Sequence, residues 1–96
     1  MFRLEYSPNA KAHFEALEAD KSQAKQFKAI RKTLGLMETN LRHPGLHTHK
    51  FESLAGPEGE PVFEAYAENQ TPAAFRVFWH YGPGKGVITV IAMEAR

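Results

Sequence analysis

The segment Val62–Arg96, VFEAYAENQTPAAFRVFWHYGPGKGVITVIAMEAR, constrains the fold more than any other part of the chain. It reads as three short strands joined by two tight turns. Strand side chains alternate between the two faces of a sheet. In Ala74–Tyr81 this puts Phe75, Val77, Trp79 and Tyr81 on one face and Arg76, Phe78 and His80 on the other. The first set is core material. The second is a sheet surface with an arginine and a histidine roughly 13 Å apart. A guanidinium on a rigid sheet suits phosphate recognition.

The rest of the chain supplies partners for this sheet. Phe2, Leu4 and Tyr6 alternate with Arg3 and Glu5, a short strand over Phe2–Tyr6. Ser7-Pro8 is an N-cap with proline at the first helical position, and a helix runs to about Ala19 with Ala10, Phe14 and Leu17 as its stripe. After the break at Asp20-Lys21-Ser22, Ser22 is expected to cap a second helix. Its apolar face is Phe27, Ile30, Leu34, Met37 and Leu41, and His43-Pro44-Gly45 ends it. The short break makes the two helices an antiparallel hairpin. His47–Leu54 and Val62–Glu68 are the next strands, with a turn-forming loop over 56–61 between them. Asn69–Pro72 turns the chain into Ala74–Tyr81, and the glycine-rich 82–86 turn leads to Val87–Met93. That last strand is apolar on both faces, so it belongs in the middle of the sheet.

The predicted fold class is therefore α+β: an N-terminal strand and an antiparallel helical hairpin, the hairpin packed on one face of a mostly antiparallel four- to five-stranded sheet. With 96 residues there is room for one core, so residues 1–96 form a single domain. The helix-covered face should take Phe63, Ala65, Phe75, Val77, Trp79, Ile91 and Met93. The opposite face should carry Glu64, Tyr66, Arg76, His80, Glu94 and Arg96. Pairing Tyr81 with Val87 across the glycine turn sets Arg76 opposite Ala92 and brings Arg96 within reach.

Composition narrows the function classes. Cysteine is absent, which excludes disulfides and thiolate metal sites and fits a reducing compartment. No apolar run approaches a membrane span, and the N-terminal MFRLEYSPNAK has charges inside its only apolar patch, unlike a signal peptide. The expected location is the cytoplasm, with no membrane partner. A net charge of +1 is weak support for nucleic acid. Lys21, Lys25, Lys28, Arg31 and Lys32 cluster in one segment and Glu52, Glu58, Glu60, Glu64 and Glu68 in another, each consistent with a solvated face.

The open sheet face suits single-stranded RNA, whose phosphates take cations and whose bases stack on aromatic rings. Cleavage through the RNA's own 2′-hydroxyl needs a base, cations for the phosphorane charge and an acid for the leaving oxygen, and calls for no metal or other cofactor. Glu64 or His80 can be the base. Arg76 and Arg96 can hold the charge. His80, His49 or Tyr66 can be the acid. Each residue also has a plain structural role open to it. Arg76 can be a cross-strand partner of Glu64 or Glu68. His80 can bond a turn carbonyl, Tyr66 can cover apolar sheet, and His13 can be a packing residue. His47 and His49 have spacing that could share a metal, with no third ligand evident.

Four segments in order resemble the RelE/ParE superfamily of bacterial type II toxin–antitoxin toxins: the leucine-rich second helix, HPGLHTHKFESLAG, AAFRVFWHY and ITVIAMEAR, with Phe75-Arg76 the most telling pair. The resemblance covers nearly the whole chain. It implies a RelE-like fold, messenger RNA on the ribosome as substrate and a cognate antitoxin as partner, with a homodimer or a toxin–antitoxin hetero-oligomer as the expected assembly. Arg76 matches the strand arginine of that family and Arg96 a second arginine after the last strand. On this reading Arg76, His80, Glu64 and Arg96 are the catalytic candidates, and Tyr66, His49 and Lys50 the RNA-binding ones. The chain has Glu64 and Tyr66 where RelE-type enzymes carry lysines, and ends at Arg96 without the C-terminal tyrosine or histidine. The gyrase-directed ParE branch, or a non-catalytic binding domain, fits those departures as well.

Overall fold

The computed structural model describes residues 1–68 and 74–95; the turn expected over Asn69–Pro72, and Arg96, lie outside the described residues. The elements in order are β1 (Arg3–Tyr6), α1 (Pro8–Ala19), α2 (Ala24–Thr39), β2 (His49–Ala55), β3 (Pro61–Tyr66), β4 (Phe75–Tyr81) and β5 (Val87–Ala95), with short 3-10 turns at Lys21–Gln23 and Pro44–Leu46. Strands β2 to β5 form an antiparallel meander, and β1 joins its far edge parallel to β5, giving the order β1-β5-β4-β3-β2. The apolar β5 is thus interior, as its sequence requires.

Local chemistry sets the helices. Ser7 accepts a hydrogen bond from the Ala10 amide and Pro8 opens α1. The expected Ser22 cap is not there. Asp20 accepts from both the amide and the hydroxyl of Ser22 and starts a 3-10 turn, so α2 begins later without a side-chain cap. These bonds to the ionised oxygen hold the Asp20 carboxyl below its usual range. Helix α2 ends at Thr39, short of the predicted stop, and Leu41 lies beyond it.

Two cores flank the sheet. On the helical side Ile30, Leu34 and Met37 pack against Ala65, Val77, Trp79, Val90 and Met93. The opposite face is not open, contrary to the sequence expectation. Phe78, Val62 and Ala92 are buried there under Phe51, Leu54 and Ile91. The cause is irregular pairing. Lys50 stands opposite Phe63 and Ala55 opposite Pro61, five steps on β2 against two on β3. Surplus residues bend a strand and increase its twist, here carrying Phe51 and Leu54 over Phe78. A second bulge corrects the β4–β5 register. Tyr81 pairs with Ile88 rather than Val87, Ile91 is skipped, and Arg76 faces Glu94 rather than Ala92. Ile91 accordingly packs with Phe78 and not under the helices.

Strand β1 stops at Tyr6, and the start of α1 continues its work on β5. Ser7 Oγ and Asn9 Nδ2 donate to the Ile91 carbonyl, and the Met93 amide donates to His13 Nδ1 at 3.0 Å. His13 is therefore a strand acceptor rather than only a packing residue. Removing it orphans an amide on a buried residue. His13→Ala should lower stability by about 1–3 kcal/mol in chemical denaturation, whereas His13→Asn, which keeps an acceptor, should lose less.

Candidate functional site

The β2–β3–β4 ladder gathers four of the predicted side chains. Glu64 sits opposite His49 on β2, and Tyr66 opposite Arg76 on β4. These residues share the face that carries Phe78. Glu64 is only 1% exposed, and each of its oxygens has a partner. Oε1 lies 2.6 Å from His49 Nε2, and Oε2 accepts from Arg76 Nη1 at 3.1 Å. The Arg76 guanidinium carbon stands 4.6 Å from the Tyr66 ring centre, a cation–π contact. His49 meets the same ring edge-on at 5.7 Å. A buried carboxylate is tolerable only when paired and hydrogen-bonded, and here the pairing comes from both neighbouring strands.

The proton inventory of this cluster follows from its acceptors. His49 Nδ1 lies 2.9 Å from the His47 carbonyl, which can only accept. Nε2 faces the Glu64 carboxyl. Both contacts are hydrogen bonds only if ring and carboxyl together hold two protons: a doubly protonated ring beside a carboxylate, or a singly protonated ring beside a carboxylic acid. His49 is half exposed, so this proton pair borders solvent while Glu64 does not.

Other expected site residues lie elsewhere. His80 is on the same face of β4 but 2% exposed, with Nδ1 on the Tyr81 carbonyl at 2.8 Å. The Glu60 carboxyl is held below its usual range by the amides of Glu60 itself and Glu58, with a smaller share from the His80 ring. Enclosure removes His80 from contact with a large substrate. Lys50 alternates to the opposite face from His49 and approaches Glu52 at 3.7 Å. Glu68 receives the Phe75 amide, leaving Glu64 as the acid bound to Arg76. Arg96 lies outside the described residues. No three His, Cys, Asp or Glu side chains converge as a metal site among the described residues.

Sequence reasoning missed a second feature. A groove of about 600 Å³ opens where α2 ends, lined by Phe2, Arg42, His43, His47, Trp79 and Tyr81 among others. His47 connects it to the cluster, since its ring also lies 6.0 Å from that of Tyr66. Parity assigned Trp79 to the core correctly but carried no information on the loop after α2 that leaves this end uncovered.

No family model matches the chain, and no curated protein matches it in sequence. Solved structures do match in shape. The YoeB/ParE toxin from Agrobacterium tumefaciens superposes with a TM-score of 0.71 at 10% identity, covering 99% of each chain. A chain of the archaeal RelE-RelB complex from Pyrococcus horikoshii OT3 matches with a TM-score of 0.64 at 14% identity, covering 99% of this chain and 94% of the other. Two helices on one face of a five-stranded, mostly antiparallel sheet, matched end to end by these structures, give this chain the RelE/ParE-like toxin fold.

Proposed function

We propose that this chain is a RelE-like toxin of a toxin–antitoxin pair, a ribosome-dependent endoribonuclease that cuts messenger RNA by general acid–base chemistry. The observation that carries the reading is the cluster on β2–β4: Arg76 over Tyr66, with the half-exposed His49 held on the buried Glu64. In such a reaction the 2′-oxygen attacks the adjacent phosphorus and its proton passes to a base. The 5′-oxygen departs with a proton from an acid, leaving a 2′,3′-cyclic phosphate and a 5′-hydroxyl. Arg76 supplies the charge that the phosphorane needs. His49 is the accessible proton carrier, acting at Nε2 once it turns away from Glu64. Glu64, with both oxygens engaged, holds His49 in the resting cluster. Tyr66 offers a ring to an unpaired base.

A cognate antitoxin is the expected protein partner, a reading supported by the RelE-RelB complex among the similar structures. Among the described residues no helix is long and apolar enough to cross a membrane, and a ribosomal target would place the protein in the cytoplasm. Inducible expression with mapping of RNA 5′ ends tests the reading. Growth should arrest and messenger should be cut. Arg76→Ala should reduce cleavage by at least about a hundredfold, and Arg76→Lys should not restore it, since lysine lacks the planar fork and the stacking face.

One observation favours a second reading. Glu64 pairs with both Arg76 and His49, so the cluster is held together without a substrate. A non-catalytic binding domain, or a gyrase-directed toxin, would look the same. Arrest that survives Arg76→Ala with messenger intact selects the binding domain, and trapped gyrase–DNA complexes select the gyrase-directed toxin.

A further inference from the structure

The groove at the end of α2 has a chemistry of its own. Phe63, Trp79 and Tyr81 form an aromatic wall with ring centres 4.9 to 5.6 Å apart, and Phe2 meets Tyr81 at 6.0 Å. Tyr81 is 50% exposed, the one large aromatic side chain among the described residues left so open. The Trp79 indole N–H is buried with no acceptor among the described residues.

The polar side of the groove is basic. Arg42 is a fixed cation. His43 Nδ1 accepts from the Gly45 amide at 2.9 Å, which leaves its proton on Nε2 as a donor. His47 is the third, and none of the described lining residues is acidic. His47 also has a left-handed backbone, φ 47°, the one positive-φ residue other than glycine among the described residues. That conformation costs a side-chain-bearing residue roughly 1–2 kcal/mol. It places the ring between the groove and Tyr66 while the carbonyl holds His49. Strain retained at such a junction points to function.

We propose that this groove is a nucleotide subsite that takes one base and phosphate of single-stranded RNA. The base lies against Tyr81 and Phe2, and the phosphate meets Arg42 and His47. A flat, anionic occupant satisfies both sides of the groove, the aromatic wall and the basic one. The choice of RNA rests on the function proposed above, but the test of the groove does not depend on cleavage.

Trp79 is the single tryptophan of the chain, so its fluorescence reports occupation of the groove directly. The full chain is titrated with uridine monophosphate and with a single-stranded RNA trinucleotide. A saturable change should appear with the trinucleotide at lower concentration. Arg42→Ala should weaken it about tenfold, the scale of one lost stacking or phosphate contact. His47→Gly should weaken it similarly while the melting temperature holds or rises, because glycine accepts this φ freely. No fluorescence change, or one that neither substitution alters, overturns the assignment. So does a change produced by a Glu-Phe-Glu peptide and not by RNA, which would make the groove a protein-docking site. Titration without messenger cleavage in cells leaves the groove standing and removes the nuclease reading. Cleavage without titration does the reverse.

Discussion

Glu64→Ala is expected to destabilise the domain by about 3–5 kcal/mol, a large share of the roughly 5–15 kcal/mol that holds a domain of this kind together. The carboxylate is 1% exposed and bridges two strands through His49 and Arg76. The Arg76 side chain is itself only 17% exposed, so removing its partner leaves a poorly solvated cation in place. Exposed ion pairs contribute about 0.2–1 kcal/mol, and burial is what separates this case from those. Glu64→Leu combined with Arg76→Met removes both charges and should recover most of the loss, because an apolar pair of similar volume can replace a buried ion pair. The double variant should nevertheless fail to arrest growth if Arg76 does chemistry. Urea denaturation of Glu64→Leu, of Arg76→Met and of the double variant gives the coupling directly. A loss below about 1 kcal/mol for Glu64→Ala would mean that the cluster is a hydrated surface contact, and the case for an ordered site would fall with it.

Much of this arrangement is written in alternation and spacing. Arg76 and Trp79 lie on opposite faces of β4 because they are three residues apart on a strand, and both helices follow from stripes that recur every three or four residues. What cannot be read is whatever depends on how two strands meet. Glu64, Arg76, Tyr66 and His49 come together only because His49 pairs with Glu64 and Arg76 with Tyr66, and pairing register has no local signature when both partners alternate. The same ignorance misplaced Ile91, where one skipped residue reverses the parity of the rest of β5. His80 looked outward by parity, yet it is enclosed, since face and exposure are separate properties. His13 was visible as a side chain near a stripe; that β1 would end one turn too early and leave Met93 needing an acceptor was not.

The deepest of these differences sets the second large effect. Parity places Phe78 on the same face as Arg76, and an aromatic residue on an open sheet face would tolerate alanine at about 0.5 kcal/mol or less. In the folded chain Phe78 is 0% exposed, packed with Val62 and Ala92 and edge-on to Phe51 at 5.0 Å. Phe78→Ala should then cost about 3–5 kcal/mol, comparable to the loss of Glu64. Phe51→Ala should cost less, since Phe51 is only partly buried, and the two substitutions together should cost less than their sum because each removes the same ring contact. The consequence reaches the site. Phe51 is two residues beyond His49 on β2, and its packing on Phe78 anchors that strand over the face. Loosening it should free His49 from Glu64 before the helical core gives way, so that amides of β2 exchange with deuterium faster in Phe51→Ala while those of β5 keep their protection. If β2 and β5 lose protection together, the small cluster is part of one cooperative core and does not hold the site in place by itself.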